Sequence, residues 1–187
     1  MDIELSYFKK IVKESFLIVV FSSIMGLFSG TVLSASEKVL YAFPILLLII
    51  PSLNSLIGDL STVLISRLTS HLYIGTIEPT IKFSERLKED FLGLFYTVLV
   101  SLGLLIGLGY LIAINTNIKI VNPLLVIIIL LITILFLFCS LFIFLFIGAI
   151  FLFNKGKDPN NLLIPLLTSL ADFLTPFILI LLITIFI

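Results

Sequence analysis

The sequence predicts an all-α, polytopic membrane protein with five transmembrane helices, and three observations lead there. Of its 187 residues 60% are apolar and only 12% are charged, with a mean hydropathy of +1.34; soluble domains carry about 25% charged residues. The apolar residues fall into five long runs, at 16–35, 39–68, 92–114, 121–153 and 162–187. Each is long enough to cross a hydrocarbon core of ~30 Å as a helix, and none shows the short polar–apolar alternation of barrel strands.

The first run follows Lys9, Lys10 and Lys13. It is too long for a signal-peptide core and lacks a cleavage site, so it reads as a retained helix. Residues 1–13 ahead of it mix Phe8, Ile11 and Val12 with the lysines, the pattern of a short cytoplasmic amphipathic segment at the interface. Residues 14–187 then form the five-helix domain, with no room for a folded cytosolic one. Between the second and third runs, the mixed charges from Ser84 to Asp90 predict a solvated helix start that leads into the third span.

Loop charge sets the orientation. With five spans, nine of the eleven Lys and Arg residues fall on the side of the N-terminus, and only Lys38 and Lys119 on the other. The N-terminus is therefore expected in the cytoplasm and the C-terminus outside, in a multi-pass protein of the cell membrane. The zero net charge leaves no basic surplus for nucleic acid. Cys139 is the single cysteine, which excludes an intrachain disulfide and predicts a small buried side chain. Gly26 and Gly30, and Gly103 and Gly107 with Gly109, have the spacing of small-residue ridges that let helices approach closely.

The polar residues inside the spans carry the functional signal. In the second span Ser52, Ser55, Asp59, Thr62 and Ser66 recur every three or four residues, and so share a helix face. In the fifth, Thr168, Asp172 and Thr175 do the same, with Ser169 adjacent. Counted from the ends of the runs, Asp59 and Asp172 lie about 14 and 15 Å from the cytoplasmic side, at matching depth. An Asp at the centre of a span costs roughly 2.5–3.5 kcal/mol on insertion, and such residues mark ion or proton pathways. Pro44 and Pro51 precede Asp59, while Pro165 and Pro176 bracket Asp172, which predicts interrupted helices with freed carbonyls at an ion site. Asp158-Pro159 has the composition of a helix start, with Asp as cap. His71, at a helix end, is expected at the membrane interface rather than on a metal. Oxygen donors without soft ligands suit hard cations such as Mg²⁺, which is held through one or two carboxylates and its own waters.

Two stretches carry a resemblance. Pro51-Ser-Leu-Asn-Ser-Leu-Ile-Gly-Asp-Leu-Ser-Thr-Val-Leu-Ile-Ser-Arg-Leu, running on to Ile74-Gly75, resembles the second-helix signature of the MgtE-type magnesium transporters, closest to their eukaryotic solute-carrier branch. Gly156-Lys-Asp-Pro-Asn-Asn-Leu-Leu-Ile-Pro-Leu-Leu-Thr-Ser-Leu-Ala-Asp resembles the fifth-helix signature of the same family.

The resemblance implies a five-helix unit that pairs with a second unit around a cation pore lined by the second and fifth helices. One unit is present, so a homodimer in the lipid bilayer is the expected partner arrangement. Asp172 falls on the family's intramembrane aspartate; Asp59 stands where the family has Asn, and Ala171 where the solute-carrier branch has Gly. The expected metal ligands are Asp172 and Asp59. Asn54, Ser55, Gly58, Thr62, Ser66, Thr168, Ser169 and Thr175 are expected to line the pore, with Asp158 at its cytoplasmic entrance. The transported ion is expected to be Mg²⁺, with Mn²⁺ or Co²⁺ as alternatives. A Na⁺- or H⁺-coupled exchanger is the variant within that class.

Rivals of another class are an intramembrane aspartyl protease and a non-transporting membrane subunit. The protease requires a Tyr-Asp and a Gly-x-Gly-Asp. Leu56 occupies the first Gly position and no Tyr precedes Asp172, so no enzyme is expected.

Overall fold

The computed structural model describes the backbone of residues 2–186 and their side chains except at 2–11, 13–15 and 17. Six helices follow one another: α1 (Asp2–Ala35), α2 (Glu37–Ala42), α3 (Ile45–Ile74), α4 (Glu85–Asn115), α5 (Pro123–Asn154) and α6 (Pro159–Phe186). Five of them are long and apolar enough to cross a membrane, and the short α2 is not. The chain is all-helical, as its apolar runs predict. The expected amphipathic face of residues 3–13 lies largely outside the described side chains, although the backbone there is helical and continuous with the first span.

The second span differs from its apolar run. Residues 39–42 belong to α2, and the spanning helix starts at Ile45 after Pro44. Pro44 has no N–H to continue the preceding helix. At the other end α3 continues past Leu68 to Ile74. Gly75, at φ 80°, turns the chain there, and the N–H groups of Gly75 and Thr76 close on Leu72 and His71, the pairing of a left-handed glycine cap. The extension passes through Ser70 and His71, and His71 is buried against α4. It lies in the last turn of α3, at the helix end where it is expected.

The helix predicted from the charges after Ser84 is present. Ser84 caps α4, its Oγ accepting from the Leu87 N–H at 3.2 Å. Ser84→Ala is expected to lower stability by about 1 kcal/mol, measured as thermal unfolding of the detergent-solubilised protein.

α6 packs against α1, α3 and α5, while α3 also packs against α4 and α5. Ile45, Leu46, Ile49, Leu53 and Ile65 of α3 are fully buried, as are Ile129, Leu130 and Ile134 of α5. Phe91 and Phe95 of α4 pack on Phe138 and Phe142 of α5, with the Phe91 and Phe142 rings edge-on at 4.9 Å. In lipid this fit of side chains, rather than water exclusion, holds helices together.

The glycine ridges behave differently from expectation. A Cβ added at Gly26, Gly30, Gly103 or Gly107 would meet nothing within 4 Å, whereas one at Gly109 would sit 3.5 Å from Ile49. Of these five, Gly109 alone serves contact between helices of the protomer; the other four face outward. Cys139 is also exposed, on the outer side of α5, where an apolar helix presents a full face to lipid.

The loops order the ends of the bundle. Tyr73 meets Phe153 edge-on at 5.2 Å, and Asn154 donates to the Pro79 carbonyl. The end of α3, the start of α4, the end of α5 and the start of α6 thus share one side, which carries Arg67, Lys82, Arg86, Lys88, Lys155 and Lys157. On the other side Tyr110 donates to the Pro123 carbonyl at the α4–α5 connection.

A candidate cation site at the middle of α3 and α6

Asp59 lies midway along α3 and Asp172 midway along α6, and both are exposed on the protomer. The two helices are antiparallel and cross closely where Gly58 faces Thr168, a Cβ at Gly58 falling 3.9 Å from Thr168 Cγ2. Four residues along each helix from that crossing, in opposite senses, put Asn54 level with Asp172. Asp59 then sits about 7 Å nearer the Arg67 end, at 1.5 Å per residue. The carboxylates are staggered rather than level. Counting from the ends of the apolar runs misses this, because by the same register α3 projects past the start of α6 on the basic side.

Asp59 lines an open cleft of roughly 800 Å³ between α3 and α4, together with Ser52, Ser55, Thr97, Ser101, Arg67 and Glu89. Asp172 is not part of this cleft. Thr62 and Ser66 are half-buried beside the same face of α3, and Thr62 donates back to the Gly58 carbonyl at 3.0 Å. Asn54 is half-buried, with its Oδ1 enclosed and without a partner among the described residues.

On α6 the hydroxyls divide. Thr168 is half-buried and Ser169 buried, and both donate to the Pro165 carbonyl, at 3.0 and 2.8 Å. Thr175 is fully buried, and its Oγ1 has no partner among the described residues. Gly58, Ser169 and Thr175 thus lie inside the protomer, whereas Ser55, Asp59 and Asp172 lie on its surface. Asp158 caps α6, its Oδ1 accepting from the Asn160 N–H at 2.9 Å, and Pro159 takes the first helical position where no N–H is needed.

Pro44 separates α2 from α3, but the three prolines within the spanning helices do not interrupt them. α3 runs unbroken through Pro51, and α6 through Pro165 and Pro176. Pro176 removes the donor that would bond the Asp172 carbonyl one turn back. That carbonyl is nonetheless partnered, because Ser29 Oγ of α1 donates to it at 2.7 Å.

A sequence profile of the MgtE divalent cation transporters matches residues 50–182. The chain belongs to the MgtE family. Divalent cation transport in general, and a multi-pass place in the membrane, follow from that membership and the five spanning helices. The match runs from within α3 to within α6, so both carboxylates fall inside it, while α1 and α2 lie outside. Comparison with curated proteins and with solved structures gives no match.

One element of this MgtE-family unit is missing from the sequence reading. Asp90, grouped with a solvated charge cluster, has a fully buried side chain. Arg67 holds it with Nη2 at 2.6 Å and Nε at 2.8 Å, both on Oδ1. His71 Nε2 lies 3.2 Å from Oδ2, outside hydrogen-bond alignment, while its Nδ1 meets Thr76 Oγ1 at 2.8 Å. The available signal is the four-residue spacing of Arg67 and His71, which puts both on one face of α3. This cluster ties α3 to α4 at the basic end of the cleft.

Proposed function

We propose that the chain carries Mg²⁺ across the cell membrane as a homodimer, with the ion passing between two copies and meeting the exposed Asp172 and Asp59 on its way. The observation behind this reading is the exposure of both carboxylates at mid-span. A charge there is expensive against hydrocarbon and characteristically faces a wet cavity or a partner. Among the described residues no three Asp, Glu, His or Cys side chains gather to hold a metal, which fits a site completed by a second Asp172.

Mg²⁺ dehydrates reluctantly, so two opposed carboxylates bind it largely through its waters. The ion then reaches Asp59 after a step of about 7 Å toward the basic side. Ser52 and Ser55 flank Asp59 in the cleft, and Asn54 stands level with Asp172. Asp158 lies at the basic-side entrance. That side is cytoplasmic in this reading, following its excess of Lys and Arg. The separation of Asp59 from Asp172 also speaks against a carboxylate pair sharing a proton, as a protease would need.

Native mass spectrometry should give twice the 20.9 kDa chain mass, and a purified monomer active in flux would overturn the dimer. In proteoliposomes loaded with a magnesium dye, Asp59→Asn is expected to raise the half-saturating Mg²⁺ roughly tenfold through lost Coulomb attraction. A Na⁺ or H⁺ gradient that drives the flux would convert the reading from channel to exchanger. Absence of flux in wild type, or an unchanged half-saturation in Asp59→Asn, counts against the respective part of the proposal.

A further inference from the structure

We infer that Ser29 of α1 is a positioning residue for the cation site, acting through the backbone of Asp172; this rests on the reading of Asp172 as an ion ligand. Three observations converge on the Asp172 carbonyl. Pro176, four residues on, has no N–H, so the helix itself leaves that carbonyl without its donor. The nearest local hydroxyl, Thr175, makes no hydrogen bond. Ser29 Oγ, buried at 8% exposure, donates to it across the helix interface at 2.7 Å.

Other hydroxyls of α1 behave in the usual way, Ser23 bonding back to the Val19 carbonyl and Thr31 to that of Leu27. Ser29 instead reaches another helix. The neighbouring pair Phe28 and Phe173 meets edge-on at 6.2 Å, so α1 seats on α6 at the very residues that flank the carboxylate.

The consequence is geometric. A carbonyl orphaned at mid-membrane needs a partner, since no bulk water is there to supply one. Without Ser29 it would turn toward the wet face and take the Asp172 backbone with it, or recruit water beside the ion. With Ser29 in place, the residue bearing the ligand is fixed to α1, a helix outside the residues that the family profile matches. Ser29 does not touch the ion; it sets where the carboxylate stands.

The test is a double-mutant cycle read as Mg²⁺ flux into dye-loaded proteoliposomes. Ser29→Ala is expected to raise half-saturating Mg²⁺ roughly fivefold, the usual worth of one such hydrogen bond, and Ser29→Thr to restore it. Pro176→Ala returns an N–H that can take the Asp172 carbonyl. In that background adding Ser29→Ala should change half-saturation less than about twofold. A structural role of Ser29 alone would lower the amount of folded protein and the maximal flux, and would give the same loss in both backgrounds. Asp172→Asn is measured in parallel. If it abolishes flux while Ser29→Ala leaves half-saturation unchanged, only the positioning role is overturned. If Asp172→Asn transports like wild type, the reading beneath it falls as well.

Discussion

Asp172→Asn should abolish Mg²⁺ flux, lowering it at least about 100-fold, the equivalent of ~2.7 kcal/mol. The substitution keeps the size and shape of the side chain and removes its charge, and in the proposed homodimer two charges are lost at one level. The effect follows from where Asp172 stands. Midway along a membrane-spanning helix and exposed on the protomer, it is within reach of an ion and far from bulk solvent that would screen it. Isothermal titration should show the same loss in Mg²⁺ binding. Equal binding by wild type and Asp172→Asn would sink the proposed site, whatever the fluxes. The backbone contact from Ser29 is unaffected by this change, because it goes to the carbonyl and not to the carboxylate.

Arg67→Ala should give the largest loss of stability, about 3 kcal/mol. Asp90 has no exposed side-chain surface and depends on Arg67 for both of its short contacts. Removing the arginine leaves a buried carboxylate facing only a misaligned imidazole. Removing Asp90 instead should cost less, since Arg67 is 47% exposed and can turn to water. Thermal unfolding in detergent distinguishes the two: Asp90→Ala should retain more stability than Arg67→Ala. The reverse order would mean that the cluster does not hold α3 against α4. Because Arg67 also lines the cleft that holds Asp59, its loss should loosen that cleft.

Much of the molecule is legible in the sequence. Apolar runs near 20 residues or longer admit one solution in lipid, a helix whose backbone satisfies itself, so five spans follow from hydropathy alone. Ser84 and Asp158-Pro159 announce the starts of α4 and α6 because capping is local chemistry between residues two or three apart. Asp59 and Asp172 stand out for a similar reason, since a carboxylate within an apolar run needs no neighbour to be noticed.

What the runs misplace are matters of partnership between helices. The extent of α3 is set by Pro44 at one end and by the Gly75 cap at the other, so the helix runs on through His71, whose ring lies against Asp90. Asp90 reads as one solvated charge among several until α3 covers it. The glycine ridges read as contacts, yet four of the five residues face outward, because small residues permit a close approach without providing the second helix. The carboxylates read as level, and the Gly58–Thr168 crossing staggers them.

The amino-acid sequence by itself determined the spans, the helix starts at Ser84 and Asp158, the two mid-span carboxylates and the two motifs of the family. All are set by chemistry within a few residues or by the intolerance of hydrocarbon for charge. The tertiary structure alone decided the stagger of Asp59 and Asp172, the burial of Asp90 under Arg67, and the hydrogen bond from Ser29 to the Asp172 carbonyl across 143 residues of chain. Those depend on how helices seat against one another, and local pattern carries no record of the distance between residues so far apart in sequence.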